Sequence, residues 1–198
     1  FEYQRLVDGN PQWMHMVLHY VRFEDSPDIY VYIFIVDIDQ QKRQELELTH
    51  LARTDEMTGL YNRRAAMEII QRSLLDLNGQ TCAFIILDLD NFKLANDTFG
   101  HTFGDTVLST VARNLKHFFR SGDVVCRLGG DEFLVFCRNI DQEAIENKLR
   151  NILEQLILRK SDENQEVSFT LSAGYALVPE QGDQFGELYR KADMALFA

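Results

Sequence analysis

Six consecutive apolar residues, Cys82 to Leu87, run without a polar interruption into Asp88-Leu89-Asp90. A strand that faces water on one side alternates, whereas one covered on both sides does not need to. The run therefore reads as a strand buried on both faces, and the rest of the fold has to be arranged around it. Upstream, Asn62 can cap a helix that places Ala66, Ile69, Ile70, Leu74 and Leu77 on one face and ends at Asn78-Gly79. Downstream, Leu108, Val111, Ala112, Leu115 and Phe119 share one face of a helix expected from Asp105 to Phe119.

Gly129-Gly130 separates two short apolar strands, Asp123–Leu128 and Asp131–Cys137, and suits the positive-φ positions of a two-residue hairpin. Asp141 caps a helix over 141–158 with Ile145, Leu149, Ile152, Leu153 and Leu156 inward. Val167 to Leu177 alternates as a strand, and a last helix starts near Gln184. From residue 81 to 177 the order is β-α-β-β-α-β, an α+β, ferredoxin-like unit. In such a sheet the first two strands are parallel and the third lies between them, antiparallel to both. The glycine turn then shares an end with Asp88, and Asp131 is expected one or two strand spacings of about 4.8 Å away.

Before this unit, residues 1–39 read as a β-meander with turns at Asp8-Gly9-Asn10-Pro11 and Glu24-Asp25-Ser26-Pro27-Asp28. Residues 40–54 read as a connector helix with Leu48, Leu51 and Ala52 at helical spacing, a short seam for pairing two copies. Residues 55–198 form the third segment. Phe1 opens in mid-strand with neither an initiator Met nor a signal peptide, so the sequence reads as a piece of a longer protein.

The net charge is −11, with five basic against nine acidic residues up to Arg53 and fifteen against twenty-two beyond it. No basic stretch offers a track for nucleic acid or anionic lipid, both of which need clustered Lys and Arg. An anionic small molecule is still acceptable if metal ions neutralise it. Cys82, Cys126 and Cys137 are odd in number and set in apolar stretches, which points to reduced core residues in a cytoplasmic compartment. The longest apolar run, Ile29–Val36, is far short of the roughly 20 residues a membrane span needs.

Asp88 and Asp131 at neighbouring strand ends, with Asp90 and Glu132 close by, make the oxygen-rich cluster that Mg²⁺ favours. Individually, Asp88 and Asp90 can equally end a strand or cap the next helix. Four carboxylates together repel unless a cation sits among them. Metal-assisted phosphoryl transfer suits such a cluster, with Lys93 able to reach phosphates. Asn96 and Asp105 can read a guanine edge, although Asp105 also stands where a helix N-cap belongs.

Residues 88–105, Asp-Leu-Asp-Asn-Phe-Lys-Leu-Ala-Asn-Asp-Thr-Phe-Gly-His-Thr-Phe-Gly-Asp, and Arg127-Leu128-Gly129-Gly130-Asp131-Glu132-Phe133 resemble the GGDEF family of diguanylate cyclases. So do Asp55-Glu56-Met57-Thr58-Gly59-Leu60-Tyr61-Asn62-Arg63-Arg64, Ser172-Ala173-Gly174 and Ala192-Asp193-Met194-Ala195-Leu196-Phe197. The resemblance implies a nucleotidyl-cyclase, palm-like fold that condenses two GTP into cyclic di-GMP and two pyrophosphates across a homodimer. It places two Mg²⁺ per site, with Mn²⁺ as a substitute, on Asp88, the Leu89 carbonyl and Asp131. Lys93 and the backbone around Asn91 and Phe92 would hold phosphates, Asn96 and Asp105 the guanine, and Met57 would stand beside the base. Asp131 and Glu132 share metal binding and hydroxyl deprotonation, and which one is the base stays open.

Arg120-Ser121-Gly122-Asp123 matches the family's RxxD site, where cyclic di-GMP would bind as a product inhibitor; by itself the pair is an exposed i,i+3 ion pair. The family's lysine and Gly-Arg-Asn segment beyond Ala198 are absent from this sequence. Glu2-Tyr3-Gln4-Arg5, Gln12-Trp13-Met14 and Val36-Asp37-Ile38-Asp39-Gln40-Gln41-Lys42 resemble the last strands of a PAS sensor, which would control the cyclase through the connector helix. The alternative is a non-catalytic module that binds GTP or cyclic di-GMP and signals through a partner.

Overall fold

The computed structural model describes all residues except 23, 25–27, 163–164 and 197–198, so most of the turn expected at 24–28 and the end of the closing motif lie outside the described residues. The chain divides into two compact units, Phe1–Ala52 and Arg53–Ala198.

The first unit is an antiparallel meander of β1 (Glu2–Val7), β2 (Asn10–Arg22) and β3 (Ile29–Asp37), followed by α1 (Asp39–Arg53). Val7 pairs with Asn10 across Asp8 and Gly9, which both have positive φ, 51° and 81°. That is the type I′ geometry whose twist matches the strands it joins. The start of α1 is pinned to β2, since the Ile38 N–H donates to the Trp13 carbonyl and the Trp13 N–H to Asp39 Oδ1. β3 is exposed along its whole length, from Ile29 at 61% to Val36 at 54%.

The second unit begins with β4 (Tyr61–Asn62) and α2 (Arg63–Leu75), whose N-cap Asn62 accepts the Ala65 N–H. β5 (Cys82–Leu89), α3 (Phe92–Phe99) and α4 (His101–Phe118) follow, then β6 (Val124–Gly129), β7 (Glu132–Arg138) and α5 (Gln142–Gln155). β8 (Leu158–Asp162) and β9 (Gln165–Phe169) form a separate antiparallel ladder, and β10 (Leu171–Val178) and α6 (Phe185–Leu196) complete the unit. The main sheet has the order β10-β5-β7-β6-β4, with β7 antiparallel to both β5 and β6 and β10 antiparallel to β5. Among the described residues no helix is long and apolar enough to cross a membrane.

β5 is sealed on both sides because its odd and even residues enter different cores. Ala83, Ile85, Leu87 and Leu89 pack with Leu108, Val111 and Leu115 of α4 and Ile145 and Ile152 of α5. Cys82, Phe84 and Ile86 pack with Ala66 and Ile70 of α2 and Leu188 and Ala192 of α6. β10 and α6 approach most closely at a glycine. A Cβ on Gly174 would lie 2.1 Å from the Ala192 carbonyl oxygen and 2.4 Å from the Leu196 nitrogen.

Three sequence expectations change, two of them moving a candidate site residue. The helix expected from Asp105 starts at His101, and α3 precedes it, because Gly100 at φ 82° breaks the run into two helices. Asp105 is consequently inside α4 rather than at its N-cap. The hairpin loop is Gly130-Asp131, since Gly129 still pairs with Glu132 after a bulge; a positive-φ glycine then precedes an ordinary residue, the order a type II′ turn uses. Asp131 therefore sits in the turn and not on the strand. Finally, α5 stops at Gln155, and β8 and β9 occupy ground read as helix end and strand start; the alternation of Val167 and Phe169 belongs to β9, which ends before β10 begins at Leu171.

Gly174→Ala is expected to force α6 off the sheet and to cost about 1–3 kcal/mol. Thermal unfolding of the variant should show a melting temperature lower by about 2–4 °C for each kcal/mol lost.

Candidate functional site

The sheet brings the acidic residues to one end. Asp88, on β5, is in register with Glu132 on β7 and with Ser172 on β10. Its side chain projects on the α2/α6 side, as the parity of Phe84 and Ile86 requires. Asp131 follows in the turn next to Glu132. Burial first, then the charges of Asp131, Glu132 and Asp90, push the Asp88 carboxyl up to about 6. A cation placed there would relieve both the repulsion and the desolvation.

The four carboxylates share this end, near enough for the other three to act on Asp88, but Asp90 is engaged elsewhere. Among the described residues no group of three or more His, Cys, Asp or Glu side chains is placed to hold a metal ion. Asp90 turns toward β10, where its Oδ2 accepts the Thr170 hydroxyl at 2.5 Å and its Oδ1 the Ser172 hydroxyl at 2.7 Å. With Asp90 engaged, Asp88 shares the acidic edge with Asp131 and Glu132, and the buried Leu89 supplies a main-chain carbonyl. Those are hard oxygen donors on an uncompensated acidic edge, a donor set that suits Mg²⁺.

The adjoining turn from β5 to α3 contains Asn91 in the left-handed region, φ 61°, followed by Phe92 at the first helical position and exposed Lys93. Asn96 is half-buried on α3 and lies over the first turns of α4. A Cβ on Gly104 would meet Asn96 Oδ1 at 2.0 Å, so the glycine makes room for that amide next to exposed Asp105. α3 thus packs Asn96 against α4 at Gly104, one residue before Asp105.

Arg127 is the organising residue that sequence reasoning passed over. Its Nε and Nη2 donate to the Gly130 carbonyl at 3.0 and 2.8 Å, while Nη1 stands 3.3 Å from both Asp55 oxygens and 3.6 Å from Met57 Sδ. Asp55 Oδ1 also accepts the Thr58 N–H and hydroxyl, at 2.9 and 2.6 Å. Burial opposes the charge, but Thr58 and Arg127 together hold the Asp55 carboxyl below its ordinary range. One guanidinium, 11% exposed, therefore ties the glycine turn to the loop that carries Met57. The available signal was an arginine two residues before a glycine pair, with an acidic turn elsewhere in the chain.

Arg120 and Asp123 stand apart from the residues above, at the turn between α4 and β6. The Asp123 side chain is 2% exposed; it accepts the Arg120 N–H at 3.1 Å and lies 3.5 Å from Arg120 Nε. Arg120 itself is 60% exposed, and its Nη2 reaches the Arg138 carbonyl at 2.9 Å. Asp123 is thus the buried anchor of the turn, and Arg120 is its exposed member.

Residues 52–198 match the family model described as "Diguanylate cyclase, GGDEF domain". The chain belongs to the GGDEF family. It is 38% identical over 161 residues to the cyclic di-GMP phosphodiesterase PdeR of Escherichia coli, covering 81% of this chain and 24% of PdeR. It is 32% identical over 195 residues to the diguanylate cyclase DgcM of the same organism, covering 98% of this chain and 46% of DgcM. The chain thus spans less than half the length of either relative. In structure it is similar to the coiled coil and GGDEF domain of DgcB from Caulobacter crescentus in complex with c-di-GMP, with TM-score 0.71, 28% identity and coverage of 80% of this chain and 86% of that one. Its relatives thus include both cyclases and phosphodiesterases.

Two outcomes test this geometry. Because the folded Asp88 binds its proton more tightly than the unfolded one, its contribution to stability is complete below the ordinary aspartate range and is lost as pH rises to about 6. In EDTA, Asp88→Asn should therefore melt above the parent protein at pH 7.5, and the gap should close toward pH 4. Arg127→Ala should cost about 2 kcal/mol in chemical denaturation, because it leaves Asp55 and the Gly130 carbonyl without their cation.

Proposed function

We propose that this chain is the catalytic GGDEF part of a diguanylate cyclase, which condenses two GTP into cyclic di-GMP and two pyrophosphates. The observation that carries this reading is the acidic sheet end, where Asp88 and the Gly130–Asp131 turn meet beside the β5–α3 turn. Asp88, Asp131 and the Leu89 carbonyl would hold Mg²⁺, or Mn²⁺ in its place. When bound, such ions neutralise phosphate charge and lower the pKa of an attacking hydroxyl. Asn91 and Phe92 offer main-chain N–H groups and Lys93 a point charge to the triphosphate. Asn96 and Asp105 offer an amide and a carboxylate to the guanine edge, with Met57 packing beside the base. Asp131 or Glu132 takes the proton of the ribose 3′-hydroxyl.

Each domain holds one nucleotide, so two copies must face each other for either hydroxyl to reach the other's α-phosphate. Residues 1–39 act as the end of a PAS-like sensor, and α1 carries its state to the pairing of two cyclase units. At the Arg120 turn the exposed guanidinium can fork onto O6 and N7 of a guanine in the product, with Asp123 setting its orientation. Occupancy there would hold two domains apart from the productive arrangement.

The second reading, a module that binds GTP or cyclic di-GMP and acts through a partner, is favoured by one observation. A relative at 38% identity is named a phosphodiesterase, and this chain covers only 24% of it.

GTP turnover with Mg²⁺, resolved by chromatography, separates the two. Cyclic di-GMP should form at a rate per protein that rises with protein concentration, and Asp131→Asn should lower that rate at least a hundredfold, about 2.7 kcal/mol of barrier. GTP binding without turnover would select the binding module.

A further inference from the structure

Asp90 is the acidic residue of the β5–α3 turn that is engaged by β10, and its surroundings are built for it. It accepts the Thr170 hydroxyl at 2.5 Å and the Ser172 hydroxyl at 2.7 Å, while its own N–H donates to the Thr170 carbonyl at 2.9 Å. Thr170 and Ser172 lie eighty and eighty-two residues away, at the start of β10, the strand that pairs with β5 up to Leu89. The three bonds therefore continue the sheet seam one residue past the end of the strand.

Directly after the seam the backbone makes an uncommon move. Asn91 takes φ 61°, and the Ala95 N–H bonds to its carbonyl to open α3. A non-glycine residue in the left-handed region carries a conformational cost and persists where its surroundings hold it. Asp90 is that hold on the upstream side. Its N–H fixes the Leu89–Asp90 peptide plane, and with it the Leu89 carbonyl, while its side chain ties the residue that enters Asn91 to the start of β10. Its carboxylate accepts from two hydroxyls, those of Thr170 just before β10 and Ser172 on it.

We infer that Asp90, latched by Thr170 and Ser172, is a positioning residue that sets the main chain of residues 89–92 to receive a nucleotide's polyphosphate. This rests on the proposed assignment of that turn to phosphate. The latch touches the turn and not Asn96 or Asp105, so its loss falls on recognition of the β- and γ-phosphates rather than of the guanine. It also separates two acidic residues that the sequence presents as a pair: Asp88 faces the reaction, and Asp90 shapes the loop beside it.

The test compares the affinities of GTP and GMP, each with Mg²⁺, by calorimetry on the parent protein, Thr170→Val and Thr170→Ser. Valine keeps the volume and loses the hydroxyl, whereas serine keeps the hydroxyl. The parent should bind GTP more tightly than GMP. Thr170→Val should reduce that preference about tenfold, with GMP affinity unchanged, and Thr170→Ser should restore it. Ser172→Ala provides the same readout if Thr170→Val does not give a cooperative melt. A preference equal in the parent and the variants, or equal losses for GTP and GMP, would overturn the latch and leave the phosphate assignment standing. A parent that does not distinguish GTP from GMP would overturn the phosphate assignment, and the latch's role with it.

Discussion

Because β5 is buried on both faces, its ends are the places where it can carry polar groups, and Asp88 stands at the end that meets the Gly130–Asp131 turn. Everything proposed for the site depends on that position. α4 and α5 cover one side of the strand and α2 and α6 the other, so neither side can yield water to Asp88 from within the sheet. The carboxyl is left at a boundary, part desolvated and facing other acids. That combination raises its proton affinity and makes the same edge attractive to a cation.

The surrounding structure holds this edge by polar ties that cross between distant segments. Arg127 joins the glycine turn to the Asp55 loop, and Asp90 joins the end of β5 to the start of β10. Each uses a charged group whose partners satisfy it, and an unsatisfied charge at such a position would be expensive. Two glycines serve the same end by subtraction. Gly104 leaves room for the Asn96 amide, and Gly174 lets the backbone of α6 approach β10. The site is thus bounded by close backbone approaches and by fixed hydrogen bonds, both of which limit how far its parts can drift.

Much of this architecture was legible beforehand. β5, β6, β7, α2 and α5 follow from apolar runs, helical spacing and caps, because each is specified by residues that neighbour one another along the chain. The boundaries that moved have a common origin. α3 and the early start of α4 depend on Gly100, and the displaced hairpin loop depends on a bulge between Arg127 and Gly129. β8 and β9 pair with each other as a separate two-stranded ladder, and the alternation of Val167 and Phe169 ran on into β10 in the sequence, so their boundary was not marked.

By itself the sequence determined which residue types are present for chemistry and along which strands and helices they lie, since local periodicity and turn propensities act over a few residues. It placed Asp88 and Asp131 at neighbouring strand ends, and the family resemblance added Asn96 and Asp105 to them. Only the tertiary structure decided how these groups are apportioned. Asp88 and Asp90 are two residues apart and chemically identical, yet one faces the acidic edge and the other is bound to Thr170 and Ser172. Arg127 and Asp55 are seventy-two residues apart and meet, while Asp123 is buried as the anchor of its own turn. The physical reason is that hydrogen bonding and desolvation depend on distance in space, and the sheet order β10-β5-β7-β6-β4 sets those distances independently of separation along the chain.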